Sequence, residues 1–151
     1  MKKCIAAALL LMAATGIKAQ NRFATNEISI NGFRNPSIGL EYRYRQVSFH
    51  GGLYLTNFTE NTTTKFIKAG ATFWFLPVDK KEIPSSFYAG ISYLRGLNRD
   101  YDGKNAFAAE AGFRWMIWKG INVRMGVIAL AAKGEDLKFN PTPGISYSFK
   151  L

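Results

Sequence analysis

The chain has little of what usually holds a small exported domain together or gives it chemistry. It contains one cysteine, Cys4, and one histidine, His50, in 151 residues. Cys4 precedes an apolar run in a segment expected to be removed, so the remainder carries no thiol. That excludes a disulfide framework and a thiol catalyst. No apolar stretch is long enough for a membrane-spanning helix. Gly-rich phosphate loops, metal-ligand clusters and dinucleotide fingerprints are absent, so neither a cofactor nor a metal is expected. The formal charge is +10, yet like charges never run beyond a pair such as Lys80-Lys81. Scattered basicity without a binding motif points away from nucleic acid. The length suits one domain.

What is present begins with the N-terminus. Lys2 and Lys3 form a basic lead, residues 5–14 are apolar, and Ala19 before Gln20 offers a cleavage point. We read residues 1–19 as a secretory signal and residues 20–151 as one domain. Loss of Lys2, Lys3 and Lys18 leaves a formal charge of about +7.

The domain is organised around alternation. From Asn105 to Leu130, Phe107, Ala109, Ala111, Phe113, Trp115 and Ile117 share one parity, and Glu110, Gly112 and Arg114 fall on the other. After Lys119-Gly120 the pattern resumes, with Ile121, Val123, Met125 and Val127 opposite Asn122, Arg124 and Gly126. Strict alternation is the signature of a strand with two unlike faces. A three-residue loop, Trp118-Lys119-Gly120, with a left-handed Gly makes the apolar faces coincide, pairing Ile117 with Ile121 and Phe113 with Met125. It also sets Arg114 opposite Arg124. The same alternation recurs in residues 26–32, 37–45, 47–57, 65–76, 86–95 and 143–151. This makes eight strands, most of the length that crosses a bilayer when tilted. Tight connections after strands two and six alternate with longer polar ones after strands three, five and seven. The tight ones are expected on the periplasmic side, where the turn at residues 77–84 is long for its place.

Charge obeys the alternation. Glu27, Glu41, Arg43, Arg45, His50, Lys68, Glu110, Arg114, Arg124 and Lys150 share the parity that also carries Gly and Ser. The other parity is uncharged within the strands, Arg95 standing at a strand end. An outward Arg or Lys at a bilayer midplane costs roughly 2–4 kcal/mol. Aromatics gather near strand ends on the apolar parity: Tyr42, Tyr44, Phe73, Phe75, Phe87, Tyr93, Phe107, Trp115, Tyr147 and Phe149. These suit the two interfacial girdles of a membrane barrel. Alternation alone does not say which face turns inward, and a soluble lipocalin-like ligand-binding barrel in the periplasm would reverse the two. The expected fold class is all-β: an eight-stranded antiparallel up-and-down transmembrane β-barrel.

The C-terminal Tyr147, Phe149 and Leu151 resemble the alternating signal read by the barrel-assembly machinery, although most such signals end in Phe or Trp. With the leader and eight strands, the domain resembles small eight-stranded bacterial outer-membrane barrels of the OmpA/OmpX type. The resemblance implies a monomer in the outer membrane of a Gram-negative envelope, in contact with outer-membrane lipids and lipopolysaccharide.

An eight-stranded barrel is just wide enough for its own side chains, so a diffusion pore is not expected. The interior charges are expected to pair: Glu27 with Lys150 where the first and last strands meet, and Glu41 and Glu110 among Arg43, Arg114 and Arg124. Two opposed arginines need a carboxylate or a bound anion between them. The loops at 59–64, 96–105 and 132–142, with Arg99, Lys104, Lys133 and Lys138, are the expected contact surface for lipid phosphates or an envelope partner. The expected function is structural or loop-mediated binding. An alternative is a lipid A acyl hydrolase or acyltransferase, for which His50 is the catalytic candidate with Ser48 nearby. Because that face is expected to be the lumen, a packed interior histidine is the simpler role.

Overall fold

The computed structural model describes residues 23–33, 38–56 and 63–151. The leader at 1–19, Ser37 and Asn57 at the expected strand ends, and residues 59–62 of one expected loop lie outside them. The strands are β1 (Asn26–Gly32), β2 (Ile38–Tyr44), β3 (Val47–Leu55), β4 (Lys65–Phe75), β5 (Ser86–Gly96), β6 (Asn105–Trp118), β7 (Ile121–Ala132), β8 (Lys138–Pro141) and β9 (Gly144–Lys150). Each pairs antiparallel with its sequence neighbour from β1 to β7, and β9 joins β7 to β1. The sheet therefore closes. β8 lies on the second half of β7 and β9 on the first, so the two form one eighth stave broken at Thr142-Pro143. The backbone N–H of Thr142 donates to Gly126 O at 2.8 Å and bridges that break. Residues 138–141, expected as loop, are thus strand: pairing with the long β7 satisfies their backbone groups beyond the reach of β1.

Register agrees with the alternation. Phe113 faces Met125, Trp115 faces Val123 and Arg114 faces Arg124. The turn itself is different from the expected three-residue loop. Trp118 pairs with Ile121 across a two-residue Lys119-Gly120 turn, and the register shifts between Met116 and Trp118. Lys119 and Gly120 both have positive φ, 36° and 93°. That is the backbone a type I′ hairpin turn demands. One extra residue in the bulge at Ile117 restores the match of faces that a two-residue turn would otherwise break.

Closure answers which face turns inward. Arg43, Arg114, Lys68 and Glu27 are buried, whereas Ile38, Ile91, Phe107 and Met125 are each about 70% exposed. The interior is polar and the outside apolar, the reverse of a soluble barrel's arrangement.

Both ends of the lumen are filled. Where the long connections lie, Tyr54, Phe66, Leu94, Ile128 and Leu130 pack with Tyr101, which a 3-10 turn at Arg99–Tyr101 tucks inward. The Phe66 and Tyr101 rings meet edge-on at 5.2 Å. At the other end the β4–β5 turn folds beneath the barrel. Asp79 accepts the backbone N–H groups of Lys81 and Ser85, each at 3.2 Å. Lys81 Nζ donates to Met116 O, Ser85 Oγ accepts Met116 N at 2.9 Å, and Glu82 meets Lys150 at 2.5 Å. The length of this turn is explained by its role as a latch on β6 and β9.

Candidate functional site

The lumen near the tight turns holds a charged cluster that staples opposite walls together. Glu27 on β1 receives Arg43 from β2 and, across the lumen, Arg114 from β6 at 2.6 Å. Glu41 on β2 receives Arg124 from β7 at 2.6 Å and the Ser48 hydroxyl at 2.5 Å. The opposed Arg114 and Arg124 therefore each reach their own carboxylate on the far wall. Between them stands Trp74 from β4. Its ring lies 4.4 Å from the Arg114 guanidinium, 5.0 Å from Arg124 and 5.6 Å from Arg43. Its indole N–H donates to Ser48 Oγ at 2.8 Å, which passes on to Glu41. Cations over an indole face, desolvated as here, are attracted by its quadrupole. Room for this layer comes from the facing Gly112 and Gly126. A Cβ on either would lie within 3 Å of the Tyr88 hydroxyl and of opposing backbone.

Nearer the middle, Lys68 on β4 binds Glu110 on β6 at 2.6 Å. On the intervening strand Lys68 lies opposite Leu94 and Glu110 opposite Gly90, so the lysine reaches obliquely across β5. His50 is buried beside this pair. Its Nε2 meets Ser92 Oγ at 3.1 Å and its Nδ1 meets Thr72 Oγ1 at 3.3 Å. A polar seam closes the barrel between its first and last staves. Ser29 and Ser148 hydroxyls are 2.7 Å apart, Ser146 donates to Asn31 at 2.6 Å, and Asn122 donates to Ser148 at 3.0 Å.

Two expected pairings are corrected. Glu27 and Lys150 are register partners, but their side chains do not pair. Both Glu27 oxygens are taken by arginines, while Lys150 is exposed at the strand end and turns to Glu82. Glu110 does not join the arginines: its carboxylate is taken by Lys68 at 2.6 Å, while the arginines pair with Glu27 and Glu41. Sequence reasoning left Trp74 out of the cluster, gave Lys68 no partner and set Ser48 beside His50 instead of Glu41. Their signal was available: each sits on the charged parity of its strand.

His50 and Ser92 approach as a base and a hydroxyl would, but Ser92 is buried on the luminal side and both ring nitrogens have partners. Ser48, the hydroxyl expected beside His50, instead serves Glu41 and Trp74. Among the described residues no group of three or more acidic, His or Cys side chains could hold a metal ion.

At the long-connection rim, Arg99 and Lys133 are exposed. Lys104 binds Glu135 at 2.8 Å and ties the β5–β6 loop to the turn after β7. The Lys104 hydrogen bond holds the Glu135 carboxyl below its usual range. Lys138 Nζ lies 5.0 Å over the Tyr101 ring, capping the apolar plug. Comparison of the chain with protein-family models, with curated proteins and with solved structures finds no match.

Proposed function

We propose that this protein is an integral outer-membrane barrel whose role is structural or carried by its rim loops, and that it is not a diffusion pore. The observation that carries this reading is the partition of side chains. Large apolar residues cover the outside, and the charged side chains of the strand interiors lie inside. In water such a surface would form an apolar patch far larger than monomeric proteins tolerate. In a bilayer it is the low-energy face, and closure satisfies every ladder hydrogen bond. Exposed Tyr42, Tyr44, Trp115, Trp118, Tyr147 and Phe149 fit an interfacial girdle at the tight-turn end. An export leader over residues 1–19 and a bacterial outer-membrane address complete the reading, with Tyr147, Phe149 and Leu151 as the segment offered to the assembly machinery. The filled lumen argues against conduction. Binding then falls to the rim, where Arg99 and Lys133 are exposed toward lipopolysaccharide phosphates or an envelope partner.

The test is gel mobility with and without boiling, on protein recovered from the membrane fraction. A closed membrane barrel runs as a compact band until heated. Recovery in the soluble fraction without detergent, with no heat-dependent band, defeats the proposal.

A further inference from the structure

We propose that the outward face over β4–β7 binds one anionic phosphorylated lipid, its headgroup held by Lys65 and Arg95 and an acyl chain lying in the groove below them. The inference rests on the membrane reading above.

The groove is a depression in an otherwise bulky surface. Ala69, Ala71, Ala109 and Ala129 floor a hollow of about 910 Å³ between Phe49 and Phe107. It continues past Ile91 into a second hollow of about 410 Å³ that reaches Phe73 and Ala89. The register explains the shape. Ala71, Ile91, Ala109 and Ala129 form one row across four strands, and Ala89 and Ala111 face each other in the next.

Two cations lie just beyond the rim end of this groove, which stops at Tyr93. Arg95 closes the outward row of β5 above Tyr93, and Lys65 opens the outward row of β4 above Ile67. Ile67 is the register partner of Arg95, which makes Lys65 and Arg95 diagonal neighbours, with backbones about 7–8 Å apart. Arg95 donates to Asn105 Oδ1 at 2.8 Å, and the Tyr93 hydroxyl donates to the same oxygen at 2.7 Å. Among the described residues no carboxylate pairs with Arg95 or Lys65, whereas Lys81, Lys104 and Lys150 all have one. Two uncompensated cations beside an amphipathic Tyr are the chemistry of a phosphate at headgroup level.

Length fits as well. From Arg95 to Ala89 the strand runs about 20 Å. At a tilt of about 45° this descends roughly 14 Å, half of the ~30 Å hydrocarbon core. The groove therefore has the depth of one leaflet's acyl chains.

The experiment is native mass spectrometry of the full-length protein released from micelles holding equimolar phosphatidylglycerol and phosphatidylcholine. The variants are K65Q/R95Q, which removes the charge, and Ala109→Phe, which fills the floor. Folding of each is checked by the heat-dependent gel shift, with R95Q alone replacing the double variant if that does not fold. The wild type should retain one phosphatidylglycerol in preference to phosphatidylcholine. The preference should fall about five-fold for each cation removed, and Ala109→Phe should lower retention of both lipids. Equal retention of the two lipids, a preference unchanged in the charge variants, or equal capture of inorganic phosphate alone overturns the lipid site. If the wild type shows no heat-dependent shift, the membrane reading fails with it. A shift without lipid preference sinks the lipid site alone.

Discussion

Trp74 stands at the centre of the charged layer, and its neighbours decide what single substitutions do. Glu27 holds Arg43 and Arg114, both buried. Removing one partner of a buried pair leaves the other charge uncompensated, at a cost of about 3–5 kcal/mol. Glu27→Ala, which strands both arginines, is therefore expected to lose stability on that scale in urea unfolding from lipid vesicles. Lys150→Ala, at an exposed pair with Glu82, should leave the unfolding midpoint in place. Equal effects of the two would mean the lumen is hydrated enough to screen its charges. His50 sits between Ser92 and Thr72 with both ring nitrogens occupied. A His50→Ala variant should fold and leave the acyl pattern of the envelope lipids unchanged. An altered pattern would revive the acyl-enzyme alternative.

At the scale of elements, the two connections at the tight-turn end make opposite demands. The Lys119-Gly120 turn is short and strained. Gly120 has φ of 93°, and a Cβ there would lie 2.5 Å from Ser148 O. Gly120→Ala should cost about 1–3 kcal/mol, read as a lower unfolding midpoint and slower folding into vesicles. The long β4–β5 turn instead depends on one carboxylate. Partial burial would raise the pKa of Asp79, but hydrogen bonds from Ser85 and Lys81, with the Lys81 charge, outweigh it and hold the group below its usual value. A lowered folded pKa means the stabilisation is present above the unfolded value and is lost as pH falls through the folded one. The latch should thus loosen only below about pH 4. Amide exchange of residues 78–85 would show that acid loosening in the native protein and not in Asp79→Asn.

The strands and the Arg114–Arg124 opposition were legible because period-two alternation and a shared turn leave few registers. The bulge at Ile117 was not, since one extra residue mimics a longer loop while keeping the faces aligned. The β8 segment was hidden for a different reason. Its residues, Lys138 to Pro141, carry no alternation, and they are strand because β7 is long enough to pair with them.

For the whole molecule, the arginines of β6 and β7 tie to the carboxylates of β1 and β2 across the lumen. Glu41 was expected among these arginines and does take Arg124, but Glu27 with Arg114 was not expected, because contact across a barrel depends on its closure and not on neighbouring register. The inward direction of the charged face was likewise open until closure was in hand, since alternation is symmetric between the two faces. The candidate rim was only partly legible: Lys104 and Lys138 were picked out for their charge, yet one is bound to Glu135 and the other caps Tyr101. Lys65 and Arg95, which pair with no carboxylate among the described residues, stand at strand ends; alternation marked Arg95 as an exception on the apolar face but gave it no role.

The central claim is that the outward apolar face meets lipid. Cys4 is the single cysteine and can be replaced, so an introduced thiol reports one position cleanly. Ile91 is 71% exposed on that face, and Lys133 is exposed at the rim. The measurement is labelling of Ile91→Cys and Lys133→Cys by a charged, water-borne maleimide in native membranes and again after denaturation. Thiols react as thiolates and need water. The account predicts that Lys133→Cys labels at once, and that Ile91→Cys labels only after denaturation. Rapid labelling of Ile91→Cys in the native membrane fraction would contradict it.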